Sequence, residues 1–381
     1  MAYHRWVALG APVVGLAAAL AAGSAWAQLP NEEVVTLPAI TAKNRIYALD
    51  IAINHIQDGK LHVVDGDKLT YLGTLGTGFT GQTIQSNDGK ELIVVTGYLS
   101  RGQRGERADI VEVWDADTLK FKYEIPIPHK RAMALNYEGL VRLSADGRWL
   151  FVQNATPATS ITVVDMQAKS VVGEISMPGC WGVYPAQSNP SRFAALCGDG
   201  TIATVTLDGN GSVASRTTTG KVFDPDADAW FMSGEQERDR YHFVTFKGNL
   251  ATVNVGGDTA ALESTWSLVP AAERKKNWRP GGYQPIAVHE GRLYVAMHPD
   301  GAEGSHKNPA AEVWTFDLAT KKRIARMPGR NAIALETSAD GSKLYALDAL
   351  KSAVVVYDKL GAKPKIRSLP VGETSVQLLA N

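Results

Sequence analysis

Short runs of alternating apolar and polar residues, each closed by Asp or Gly, recur along most of this chain. The clearest is Leu61-His62-Val63-Val64-Asp65, followed by a polar tip and a second run that reaches Leu75. The unit returns as Val111-Glu112-Val113-Trp114-Asp115 running to Ile125, and as Ile161-Thr162-Val163-Val164-Asp165 running to Ile175. Looser copies occupy residues 202–213 and 250–266, and the pattern sharpens at Val313-Trp314-Thr315-Phe316-Asp317 and Val354-Val355-Val356-Tyr357-Asp358. A two-residue period places every second side chain on one face of a strand, so each copy reads as a half-buried hairpin. Ser86-Asn87-Asp88-Gly89-Lys90, Ser144-Ala145-Asp146-Gly147-Arg148 and Ser338-Ala339-Asp340-Gly341-Ser342 each feed a further strand. Asp-Gly pairs suit such turns because glycine accepts a positive φ without steric cost.

Seven copies without an intervening linker predict an all-β chain, a seven-bladed β-propeller of four-stranded antiparallel blades. One blade of about 40–60 residues cannot bury both faces alone, whereas a closed ring of blades buries them and leaves only short sheet edges. A pair of β-sandwiches is the alternative architecture. Helix is expected only near residues 270–277.

The N-terminus departs from this pattern. Arg5 precedes an apolar run over residues 6–22, and Ala25-Trp26-Ala27 then forms an A-x-A cleavage pattern. This is the layout of a secretory signal peptide over residues 1–27, with Gln28 as the new N-terminus and the propeller spanning 28–381. A membrane anchor is the alternative. Cleavage removes one charged residue, Arg5, leaving 38 basic against 39 acidic residues. So even a balance offers no footprint for nucleic acid or for an anionic membrane surface. Two cysteines, Cys180 and Cys197, are present. An even count in an exported chain reads as one disulfide, with a metal pair or a reactive thiol as alternatives that lack C-x-x-C spacing.

Candidate chemistry is sparse. The sequence has no nucleophile elbow, phosphate-cradling loop or zinc motif. His298, Asp300 and His306 share one loop, but its Pro and Gly residues make it read as a long polar excursion, and no metal is assigned. Nine tryptophans are many. Trp114, Trp266 and Trp314 fall in repeat strands, where aromatic packing accounts for them. One stretch, Tyr98 to Asp109, is longer than a hairpin requires and carries Arg101, Arg104 and Arg107 between glycines. It reads either as a solvated loop or as an arm that docks a partner.

These irregular segments carry a resemblance. Arg104-Gly105-Glu106-Arg107-Ala108-Asp109-Ile110-Val111-Glu112-Val113 is similar to an R-G-K-R-x-D-x-V-E-V stretch in the heavy subunit of the quinoprotein amine dehydrogenases. Cys180-Trp181, Cys197-Gly198-Asp199-Gly200 and Trp278-Arg279-Pro280-Gly281-Gly282-Tyr283 resemble further segments of that family. The loop from His298 to Lys307, with Pro309-Ala310-Ala311-Glu312 after it, leans toward the aromatic amine dehydrogenase branch rather than the methylamine branch.

The resemblance implies a periplasmic heavy subunit without a redox cofactor or catalytic residue of its own. Tryptophan tryptophylquinone is expected on a separate, cysteine-rich light subunit, in an assembly of two heavy and two light chains. The implied reaction is oxidative deamination of a primary amine to aldehyde and ammonia. A blue copper protein of the azurin or amicyanin kind would take the electrons. Candidate substrate-channel residues are Ile53, Asn54 and Phe79, and candidate docking residues are Arg101, Arg104, Arg107 and Asp109. Relatives place a phenylalanine in the loop after the first strand, whereas this chain reads Asp50-Ile51-Ala52-Ile53-Asn54-His55 there, so its amine preference is open. A lactonase-like propeller hydrolase and a non-catalytic periplasmic scaffold are the competing readings.

Overall fold

A computed structural model describes residues 38–133 and 136–381. The expected signal peptide over 1–27 lies outside the described residues. The chain from Ala39 to Asn381 forms one compact unit. It is built almost wholly of antiparallel strands, and the one α-helix among the described residues is Ala271–Arg274, inside the stretch expected to be helical.

The blade count differs from expectation. Five blades are separate four-stranded antiparallel sheets, and the remaining strands join into one eight-stranded sheet. Seven separate four-stranded blades are therefore not what the chain forms. The cause is Lys322–Thr337, a single 16-residue strand. Its Ala332 pairs with Ala310 on one side and with Asp348 on the other, so one strand serves both ladders, with register irregularities on either side of that residue. Arg330 and Asn331 take positive φ values of 51° and 55°, which bend the strand without ending it. Hydrophobic alternation locates hairpins, but it does not say whether the link between two hairpin pairs leaves the ladder.

The ring closes through its ends. Ser375–Ala380 pairs antiparallel with Arg45–Asp50, completing the first sheet with Gly59–Asp65 and Tyr71–Gly78. Asp50 reinforces this seam: its carboxylate accepts hydrogen bonds from the amides of Glu373 at 2.6 Å and Thr374 at 2.9 Å. Burial alone would raise this carboxyl, but His62 and the amides of Glu373, Ala52 and Thr374 outweigh it and hold the group well below the usual range.

The middle strands of each sheet are buried along their length, as in Trp149–Asn154 and Ser160–Asp165, while outer strands such as Ser170–Ser176 alternate exposed and covered positions. Neighbouring sheets meet through large side chains. Phe151 and Phe193 have ring centroids 4.8 Å apart, and Tyr184 packs edge-on against Tyr241 at 5.2 Å and Phe243 at 5.0 Å. Each such side chain stabilises the fold by about 1.5–3 kcal/mol through burial.

Strand direction alternates within each blade, which sorts the connections onto two ends of the ring. One end carries tight, side-chain-capped turns. Asp65 accepts from the amides of Asp67 and Lys68, Asp115 from those of Asp117 and Thr118, and Asp165 from those of Gln167 and Ala168. The opposite end carries the longer links at residues 51–58, 100–106, 219–234 and 299–309. Candidate chemistry gathers on this second, irregular end.

Candidate functional site

A cleft of about 670 Å³ opens on the irregular end, between the first two blades. Its first wall is the loop after Arg45–Asp50, including Asn54, His55, Ile56, Gln57 and Asp58. The second is the end of Glu91–Leu99 with the following hairpin: Gly97, Tyr98, Leu99, Gly102, Gln103 and Arg107. Phe79, Asp109 and Met133 complete the lining. Local chain chemistry shapes both walls. Asp50 accepts from the Ala52 amide at 2.8 Å and so fixes the take-off of the short 3-10 turn Ile53–His55. In the hairpin, the Ser100 amide donates to the Glu106 carbonyl and the Ser100 hydroxyl accepts from the Glu106 amide. Gly105 has φ 102°, and a Cβ there would lie 2.3 Å from that hydroxyl, so a glycine is required.

Beneath the cleft lies a buried charge cluster. Arg107 pairs through two nitrogens with Asp109, whose own side chain is fully buried. The Arg131 Nε stands 3.9 Å from Asp109 Oδ1 on the other side. Burial pulls the Arg131 guanidinium down to about 10 against the opposing pull of Asp109, so it stays charged at neutral pH. Gly97 admits this arrangement: a Cβ there would sit 2.6 Å from Asp109 Oδ1. The Tyr98 hydroxyl donates to Glu112 at 3.0 Å, and burial together with the Glu112 charge raises its pKa far above the usual phenol value.

The sequence-derived candidates divide accordingly. Asn54 and Phe79 line the cleft together with Arg107 and Asp109. Ile53 is 57% exposed and is not among the residues that line the cleft. Arg101 and Arg104 are exposed at the hairpin tip. Asp109 faces inward and is 1% exposed, holding the base of the arm. Cys180 and Cys197 form a disulfide between paired strands, at Cα atoms 3.9 Å apart. His298 is buried and its Nδ1 lies 2.9 Å from the Pro299 carbonyl, whereas His306 is exposed and stands edge-on to Phe246. Among the described residues, no three of His, Cys, Asp and Glu gather to hold a metal ion. Trp114 packs edge-on against Phe121 and Trp266 against Phe316, while Trp314 lies 5.1 Å from Trp278 between ring centroids.

A second constellation was not anticipated. Glu138 pairs with Arg142 at 2.7 Å, and Glu235 and Glu336 lie close enough to feel both charges. Burial, with the Glu138 charge beside it, pushes Glu336 up to about 8 and raises Glu235 well above the usual carboxylate range. Gln284 joins them, donating to Glu336 at 3.3 Å. The available signal was a carboxylate inside the apolar run Ala332-Ile333-Ala334-Leu335-Glu336, which alternation alone assigns to a turn or an exposed face.

Comparison with known proteins adds an independent line. Residues 42–374 match the family model described as methylamine dehydrogenase heavy chain (MADH). The methylamine dehydrogenase heavy chain of Methylobacillus flagellatus is 28% identical over 324 residues, covering 84% of this chain and 80% of that one. That of Methylophilus methylotrophus is 26% identical over 343 residues, covering 88% and 83%. Among solved structures, the periplasmic gluconolactonase of Pseudomonas aeruginosa superposes with a TM-score of 0.60 at 14% identity, covering 88% of this chain and 98% of that one. At that identity the likeness speaks for the fold alone.

Proposed function

The chain belongs to the methylamine dehydrogenase heavy chain family and is an amine dehydrogenase heavy subunit, and from that premise we propose how it divides the work with a light subunit. The light subunit carries tryptophan tryptophylquinone, which supplies the two-electron oxidation. A primary amine, of the aromatic class, leaves as aldehyde and ammonia, and a blue copper protein takes the electrons in the periplasm. This chain contributes the wall of the substrate channel and the surface on which the light subunit docks.

The observation that carries the reading is the cleft, where Asn54, Phe79, Tyr98, Leu99 and Met133 meet on the irregular end of the ring. Most of the surface its lining exposes is apolar, as in small-molecule sites, although half of the lining residues are polar or charged. Phe79, Tyr98 and Met133 present apolar surface to an amine's side chain, while Asn54 and Gln57 offer polar contacts at the mouth. Covering the mouth with a second chain would exclude water and strengthen the electrostatics of proton removal from the amine. Arg101 and Arg104 project beside the mouth and supply the docking contacts; Arg107 and Asp109 brace the arm from which they project.

The test is co-expression with a candidate light chain, followed by co-purification and amine turnover. A stable complex that oxidises primary amines, together with an inactive isolated heavy chain, is the expected result. Amine oxidation by the isolated chain, or a complex that forms and oxidises no amine, would overturn the proposal.

A further inference from the structure

We propose that Arg131 is the positioning residue of the cleft: its buried guanidinium holds the Phe79 wall in place and thereby sets which amines the cleft admits. The inference rests on reading the cleft as the amine channel. Arg131 is 2% exposed, and its backbone bridges to Asn154 of the third blade, so it enters the site from firmly held chain. One terminal nitrogen donates to the Phe79 carbonyl at 2.6 Å and the other to the Thr80 carbonyl at 3.2 Å. Asn136 donates from its Nδ2 to the next carbonyl, Gly81, at 3.0 Å. Three successive carbonyls are thus gripped from one side.

The backbone in question needs that grip. Gly78 has φ 57° and Thr80, a β-branched residue, has φ 43°, a conformation that such residues adopt only when their surroundings impose it. A Cβ on Gly81 would lie 2.1 Å from the Thr77 carbonyl, so the turn is folded tightly on itself. Behind it, Asp109 balances the guanidinium charge and is itself held by Arg107. A planar fork reaches two carbonyls at once, and a lysine ammonium does not reproduce that geometry. Phe79 therefore presents its ring to the cleft from a braced turn.

Arg131→Lys keeps the charge and removes the fork, so it separates geometry from electrostatics. Two measurements apply: hydrogen exchange of residues 79–82 in the heavy chain, and kcat/KM of the heavy–light complex for methylamine against 2-phenylethylamine. R131K is expected to speed exchange at 79–82 while leaving Trp149–Asn154 protected. It is also expected to change the ratio between the two amines on the order of tenfold, mainly through KM, in the same direction as Phe79→Ala. The double variant should show no further change beyond Phe79→Ala, because both act through one ring. Parent-like exchange in R131K overturns the positioning role. Faster exchange with an unchanged amine ratio, or effects that add to those of Phe79→Ala, overturns the specificity role. A complex of the parent chain that oxidises no amine overturns the channel reading and the specificity role with it, while the exchange result still decides the positioning. Should R131K fail to assemble with the light subunit, exchange at 79–82 in the isolated heavy chain still decides the positioning role, and Arg131→Gln, which also lacks the two-pronged fork, takes its place in the amine comparison with the same outcomes.

Discussion

Replacing Asp50 by alanine should loosen the ring where its two ends meet and disturb the first wall of the cleft together with it. Three amides lose their acceptor: Ala52 at 2.8 Å, Glu373 at 2.6 Å and Thr374 at 2.9 Å. Hydrogen bonds to a charged group contribute about 1.5–3 kcal/mol each, so their sum of ~4–9 kcal/mol is a ceiling. Glu373 and Thr374 lie near the surface, where water can satisfy part of the loss, which brings the net cost to about 3–4 kcal/mol. An unfolding entropy of ~2.1 cal/mol/K per residue over roughly 340 residues gives ~0.7 kcal/mol per degree, hence a Tm drop of about 5 °C. D50N should lose less, since one oxygen remains, although its amide then faces the Glu373 N–H.

Calorimetry at neutral pH measures the shift, and hydrogen exchange of residues 371–380 locates it. Exchange there should accelerate while Trp149–Asn154 stays protected. The sign of the pH dependence follows from the depressed carboxyl. Its stabilisation is complete above the unfolded value of 3.8 and is lost only as pH falls toward the lower folded value, so the gap between parent and D50A should shrink only in strong acid. A Tm change under about 1 °C at neutral pH, or unchanged exchange at the seam, would refute the reasoning.

Three further outcomes are expected. Replacing Cys180 and Cys197 together by serine should cost about 3 kcal/mol through the entropy of a loop with sequence separation 17, lowering Tm by about 4 °C with turnover per assembled complex unchanged. Glu336→Gln should flatten the decline of Tm with pH. Because the folded carboxyl is raised to about 8 from 4.5, its contribution is complete below 4.5 and is lost as pH rises through about 8, so the variant should exceed the parent in stability near pH 8; a steeper or identical pH profile would contradict this. Ile53→Phe, at an exposed position next to the lining residue Asn54, should alter the ratio of turnover between large and small amines several-fold, and equal effects on both would remove this loop from the entry path.

Much of this architecture is legible in local sequence because its causes are local. The Asp-Gly turns at 86–90 and 144–148 and the Asp-capped hairpins at Asp65, Asp115 and Asp165 close through contacts within a few residues, so alternation and turn chemistry mark them directly. The disulfide was readable from an even cysteine count, and the candidate residues Asn54 and Phe79, which line the cleft, were singled out by resemblance rather than by the repeat pattern.

The tertiary structure decided what depends on distant residues. Whether Lys322–Thr337 ends one sheet or joins two is set by Ala332 finding partners on both sides, and no local signal encodes that. Arg131, Phe79 and Asp109 are separated by 22 to 52 positions along the chain, and they meet only because the second blade folds back onto the loop before it. The partly buried carboxylates Glu138, Glu235 and Glu336 come from a 3-10 turn and two different sheets. The raised titration of Glu235 and Glu336 arises from exclusion of water and the nearby Glu138 charge, which the closed ring brings together and no single strand possesses.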